Sequence, residues 1–214
     1  MTRSTWAASL CALALVSAEA VTGSVAGAQP PSQPLRSGQT TDYGTGSDGN
    51  LQKGDARLFT DNGDGTITDN KTGLMWEKKD QSGGIHDWGN KYTWGLTFSP
   101  YTMNGTMVTT FLATLNAGVG FAGHTDWRIP NQNELLSLVN YQNVKPAVDT
   151  AFNTSCAASC TVLTCSCTQS TFYWSSTTSQ GNPSYAWFVS FYVGYVSSYS
   201  KSDFYYVRAV RGGS

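Results

Sequence analysis

Charge is scarce in this sequence. Charged residues make up 13% of the 214 positions, about half the share of an average soluble domain. The 13 lysines and arginines are offset by 14 acidic residues, for a net charge of -1. That excludes the basic balance of a general nucleic-acid binder or a polybasic membrane binder. Histidine is nearly absent, with only His86 and His124. No phosphate loop, Ser-His-Asp order or H-E-x-x-H motif occurs. Long apolar runs are also missing. The stretch from Trp6 to Val16 is too short to span a bilayer, and no later segment is long and apolar enough. Aromatics, by contrast, reach 13%, with 11 Tyr, 9 Phe and 7 Trp, which excludes a disordered chain. A polar, Tyr- and Gly-rich chain with little charge suggests an extracellular, strand-rich protein.

Residues 1–28 read as a secretory signal: Arg3 in front, the apolar run, then two A-x-A cleavage patterns, Ala18-Glu19-Ala20 and Ala26-Gly27-Ala28. An uncleaved membrane anchor is the alternative. Residues 29–50 are rich in Pro, Gly, Ser, Thr and Gln, with Tyr43 the one aromatic. They are expected to form a tether or a loosely packed arm. Residues 51–214 then make one domain.

Three short strands are expected at 57–60, 66–68 and 74–77, joined by D-N-G-D-G and D-N-K-T-G turns into a meander. The same aspartates raise a calcium reading. An EF-hand loop fails, because Thr60 and Lys71 would occupy its end positions. A shallower site on Asp61, Asp64 and Asp69 stays open. Val108, Phe111, Leu112 and Leu115 form one helical stripe, with Gly118 as its stop. A second helix is signalled by the capping-box spacing of Asn131 and Glu134, with Leu135, Leu138 and Val139 on one face. Strands follow at 171–178, 185–192, 195–200 and 205–211. The 185–192 run is apolar on both faces, so it should be central. Strands, two helices, then strands make an α+β order.

Beyond Cys11 in the leader, Cys156, Cys160, Cys165 and Cys167 lie within twelve residues. In an exported chain they read as disulfides. The nested pairing 156–167 and 160–165 is favoured, and the crossed pairing 156–165 and 160–167 stays open. The C-x3-C-x4-C-x-C spacing argues against zinc, and nothing nearby would activate a thiol. His124 and Asp126 could do acid–base work. Without a nucleophile or metal set they read as structural, and no enzymatic activity is expected.

Several motifs, in order, resemble the Lcl C-terminal domain family. They are F-T-D-N-G-D-G-T-I-T-D-N-K-T-G-L-M-W (59–76), L-N-A-G-V-G-F-A-G-H-T-D-W-R-I-P-N-Q-N-E-L-L-S-L-V (115–139), F-Y-W-S-S-T-T (172–178), Y-A-W-F-V-S-F (185–191) and Y-V-R-A-V-R (206–211). The resemblance covers roughly 37–214. It implies a C-type-lectin-like fold, with two helices packed on short antiparallel sheets and a ligand surface near the C-terminal strands. It also implies adhesion: some members bind sulfated polysaccharides, and some are trimeric. Formylglycine-generating enzymes and retroelement-diversified binding proteins share the fold. Residues 171–211 supply only Lys201, Arg208 and Arg211 against Asp203, thin for a sulfated chain. A neutral glycan or a surface protein is therefore at least as fitting a partner. The sugar-binding E-P-N calcium motif is absent.

Residues 171–211 hold seven of the 11 Tyr and nine Ser, a composition that evolved paratopes use. Tyr192, Tyr195, Tyr199, Lys201, Asp203 and Tyr205 are the candidate ligand-binding residues. Positions 192–205 also draw on the residues that adenine-directed mutagenesis of AAC codons produces, which suggests retroelement diversification. The expectation is an exported, non-catalytic binding module, free of nucleic acid and cofactor except for calcium at the aspartates. A structural subunit of a surface fibre or oligomer, and an enzyme of formylglycine-generating type, are the alternatives.

Overall fold

The computed structural model describes residues 33–213; the expected leader, with both A-x-A patterns, lies outside them. The N-terminal meander forms as expected, from β1 (Phe59–Asp61), β2 (Thr66–Asp69) and β3 (Met75–Glu77), paired antiparallel with Phe59 opposite Asp69 and Ile67 opposite Trp76. Its turns are built by aspartates folding back on the backbone. Asp61 accepts from the Gly63 amide at 3.0 Å, Asp64 from the Thr66 amide at 3.0 Å, and Asp69 from the Lys71 amide at 2.9 Å.

The helical stripe at 108–115 is real. Phe111 and Leu115 are buried, and Val108 and Leu112 pack against the same cluster. Its first part is a π-helical segment, Met107–Leu112, which runs into the short helix Ala113–Leu115. The next helix, Gln132–Leu136, carries the complete capping box. Asn131 Oδ1 accepts from the Glu134 amide at 2.9 Å, and Glu134 Oε2 accepts from the Asn131 amide at 2.8 Å. Arg128 clamps both Glu134 oxygens, at 2.8 and 2.7 Å. Asn131→Ala should cost about 1 kcal/mol, and Asn131→Ser much less, read as shifts in denaturation midpoint.

The second sheet is β4 (Phe172–Thr178), β5 (Tyr185–Ser190) and β6 (Tyr195–Ser200), with β5 central. The sheet is two-sided, as its apolar pattern predicted. Ala186 and Phe188 face a cluster with Trp94, Phe111, Trp127 and Trp174. Val189 faces another cluster with Ile67, Trp76, Leu135, Phe152 and Tyr173.

Residues 205–211 are not one strand. Tyr205 bridges Tyr92, Tyr206 bridges Tyr173, and only β7 (Val210–Arg211) joins β3, giving the order β1-β2-β3-β7. The segment crosses between the sheets, and a buried ionic cluster draws it inward. Arg208 Nη1 donates to the Glu77 carbonyl at 2.8 Å, and Nη2 to the Cys167 carbonyl and Thr168 Oγ1 at 2.7 and 2.8 Å. The buried Glu77 carboxylate accepts from the Ala209 amide at 2.9 Å and from His86 Nδ1 at 2.8 Å. Lys79 Nζ lies 2.9 Å from the same carboxylate, an ion pair off the line of a hydrogen bond.

Residues 33–50, expected as a tether or loose arm, lie in one compact unit with the rest. Leu35 bridges Asp55, the Ser37 carbonyl accepts from the Tyr141 amide at 3.0 Å, and Gln142 Oε1 accepts from the Thr40 and Thr41 amides at 2.7 and 2.9 Å. Polar contacts dock this segment where composition shows too little apolar surface to do so.

Candidate binding surface

The β5–β6 hairpin presents the C-terminal phenols. Its turn needs Gly194, at φ +86°, because a Cβ there would lie 2.5 Å from Val139 Cγ1 and 2.8 Å from Tyr141 Cε1. Tyr141 Oη donates to the Gly194 carbonyl at 2.8 Å and pins the turn. Tyr192, Tyr195 and Tyr199 flank it with 44%, 43% and 50% of their surface exposed. The inner edges of two of these rings touch the second core cluster. Tyr195 lies 6.2 Å from both Phe172 and Phe188, and Tyr199 lies 6.1 Å from Tyr205. The exposed faces therefore stand on a packed aromatic base.

Tyr205 belongs mostly to that base. Its ring lies 4.5 Å from Trp174 and 5.2 Å from Phe172. Burial, with Asp203 nearby, pushes its phenol up to about 12, so it acts only as a neutral hydroxyl. Asp203 is half-buried. Lys201, expected as an outward anion contact, points inward and is buried. Its Nζ donates to the Tyr101 carbonyl at 2.9 Å and sits 3.9 Å from the Trp94 ring. The loop at 94–101 caps it, and desolvation lowers its pKa. The cation beside the exposed phenols is Lys145, whose Nζ lies 4.9 Å from the Tyr192 ring. Sequence reasoning missed Lys145, and no spacing signal joins it to Tyr192.

The aspartates proposed for calcium do not converge. Asp61 is bound by Lys78 Nζ at 2.7 Å, Asp64 by the Thr66 hydroxyl at 2.6 Å and Asp69 by the Thr72 hydroxyl at 2.8 Å. Each carboxylate serves its own turn. Among the described residues, the one grouping of three candidate metal ligands is Cys156, Cys160 and Cys167. Those sulfurs are already paired as Cys156–Cys167 and Cys160–Cys165, the nested arrangement. His124 and Asp126 do not assemble a site either. Arg211 holds Asp126 at 2.7 and 3.2 Å and lowers its pKa, while the other histidine, His86, serves Glu77.

Fold and site together define a disulfide-stapled α+β domain that exposes an aromatic hairpin. The sequence model described as the Lcl C-terminal domain matches residues 65–211, and the chain belongs to that family. No curated protein and no solved structure matches it. Among the described residues no helix is long and apolar enough to cross a membrane, and the two disulfides fit an oxidising compartment.

Proposed function

We propose that this chain is an exported, non-catalytic binding module of C-type-lectin-like fold that grips an extracellular glycan or surface protein along the Tyr192–Tyr199 edge. One observation carries the reading: three phenols of a single hairpin remain about half exposed while Phe188 and Phe191 beside them are buried. Clustered exposed aromatics of this kind serve recognition, and tyrosine gives up little rotamer entropy on contact. Retroelement diversification of 192–205 fits the same picture. Apart from Gly194 and Lys201, the residues of that stretch are exposed or half-buried, whereas Val207, Arg208, Ala209 and Val210 just beyond them are buried. A near-repeat template and a reverse-transcriptase gene in the neighbouring DNA would support it, and their absence would end it.

The main test combines a glycan array and pull-downs from envelope or host extracts with the variant Tyr195→Ala/Tyr199→Ala. Capture should fall about tenfold or more. The stability loss should stay below the roughly 3–5 kcal/mol expected for Phe188→Ala. Matching losses of stability and capture would place those rings in the core. A mass measurement showing an oligomer that buries 192–205 would replace ligand capture with assembly.

A further inference from the structure

We infer that the cleft between the Trp88 loop and Lys145 holds part of an uncharged, linear oligosaccharide whose remainder lies along Tyr192 and Tyr195. This deepens the reading above and rests on it. The cleft, of about 380 Å³, is lined by Gln81, Trp88, Lys145, Asn153, Gln169 and Ser170, among others. A smaller depression of about 210 Å³ shares Ser170 and Thr171 with it and reaches Phe172, Tyr192 and Tyr195. The two form one path from an indole to a pair of phenols.

The chemistry of the path selects its ligand. Its lining contains one ammonium and no carboxylate. A polyanion would find too few counter-charges and a polycation none. What it offers are amides, hydroxyls and flat rings. Among the described residues the side-chain amides of Gln81 and Gln169 make no hydrogen bond within the protein. Their backbones are held nonetheless: the Gln81 amide donates to the Cys160 carbonyl at 3.1 Å, the Gln169 amide donates to Tyr173 Oη at 2.9 Å, and the Gln169 carbonyl accepts from the Thr171 amide at 2.9 Å. Each free amide presents two donors and an acceptor, matching neighbouring sugar hydroxyls that donate and accept. Trp88 is half-buried, with its backbone bonded to the Asp80 carbonyl at 2.9 Å, and its indole lines the cleft as a stacking surface. Cys156 of the longer disulfide also lines the cleft, so the wall is set before binding. A peptide ligand would want apolar side-chain pockets, whereas Gln81, Asn153, Gln169, Ser170 and Thr171 give the cleft mostly polar side chains.

The test is a calorimetric titration of the chain with neutral hexasaccharides (gluco-, manno- and xylo-linked) and with a heparin hexasaccharide. At least one neutral sugar should bind saturably and keep its affinity when salt is raised about tenfold. Trp88→Ala should weaken that sugar about tenfold or more, Trp88→Phe much less, and Gln169→Ala several-fold. The inference fails if no neutral hexasaccharide binds, or if Trp88→Ala folds and binds like the parent. It also fails if only the heparin fragment binds, with an affinity that collapses in salt. If Tyr195→Ala/Tyr199→Ala abolishes capture while Trp88→Ala does not, the cleft is eliminated and the phenolic edge survives. The opposite result eliminates the edge.

Discussion

Glu77→Gln should destabilise the domain by about 3–5 kcal/mol, as expected when a buried ionic group loses its partner. Among the described residues, Glu77 is the one carboxylate facing two buried cations. Lys79 lies 2.9 Å from it, and Arg208 donates to its backbone carbonyl. Removing its charge leaves both cations desolvated and opposed to each other. Lys79→Met should cost less, because the carboxylate keeps His86, the Ala209 amide and the attraction of Arg208. The methionine can also occupy the place of the Lys79 stem over the Phe111 ring, where Nζ now sits 4.2 Å from the centroid. Denaturant midpoints of the two single variants and the double variant test this ordering. If Lys79→Met proved the worse, the carboxylate would not be the limiting member of the cluster.

The same cluster sets a pH dependence. Burial alone would raise the Glu77 pKa. The charge of Lys79, the hydrogen bond from His86 and the Ala209 amide outweigh it and hold the group below its ordinary 4.5. A carboxylate whose folded pKa lies below its unfolded value contributes stability that is fully present above pH 4.5. That contribution is lost as pH falls through the folded value. Parent stability should therefore drop in acid, and Glu77→Gln should flatten that part of the curve. An unchanged acid limb in the variant would assign the drop to other carboxylates.

Local signals in the chain were readable wherever the cause was local. The Asn131–Glu134 capping box, the aspartate turns at 61–73, the central position of β5 and the nested cysteine pairs each depend on residues a few positions apart. What escaped reading depends on distant partners. Lys201-Ser202-Asp203 looks like a solvated turn, but the group that buries Lys201 comes from Tyr101, 100 residues away. Arg208 sits in a strand-like run, yet its partner Glu77 lies 131 residues back and pulls the run out of regular pairing. Likewise the cleft draws its lining from Gln81, Trp88, Lys145 and Gln169, and no spacing rule links these positions. Docking of residues 33–50 escaped for a related reason. Composition measures apolar surface, whereas Gln142 and Tyr141 hold that segment through polar contacts.

Removing Cys156–Cys167 should cost about 3 kcal/mol and removing Cys160–Cys165 about 2 kcal/mol, by the chain-entropy estimate for closed loops of this size. The loops close over sequence separations of 11 and 5. Besides Cys165 and Cys167 themselves, the 153–168 segment buries only Ser166 and Thr168. Its other anchors include backbone bonds (Thr154 with Ser166, the Cys167 amide to the Lys79 carbonyl at 2.8 Å, and the Gln81 amide to the Cys160 carbonyl at 3.1 Å) and the side-chain bond from Arg208 to Thr168 Oγ1 at 2.8 Å. The longer bridge matters twice, since Cys156 lines the Trp88 cleft and the Cys167 carbonyl accepts from Arg208 at 2.7 Å. Cys156→Ser/Cys167→Ser should therefore weaken the cleft's ligand as well as the fold. Combined with Glu77→Gln it should depart from additivity, because both changes act on Arg208. Denaturation of the chain with and without reductant, alongside the two paired-serine variants, measures each part. Stability indifferent to reductant would mean that these hydrogen bonds hold the segment without the bridges. Strict additivity with Glu77→Gln would uncouple the staple from the buried charges.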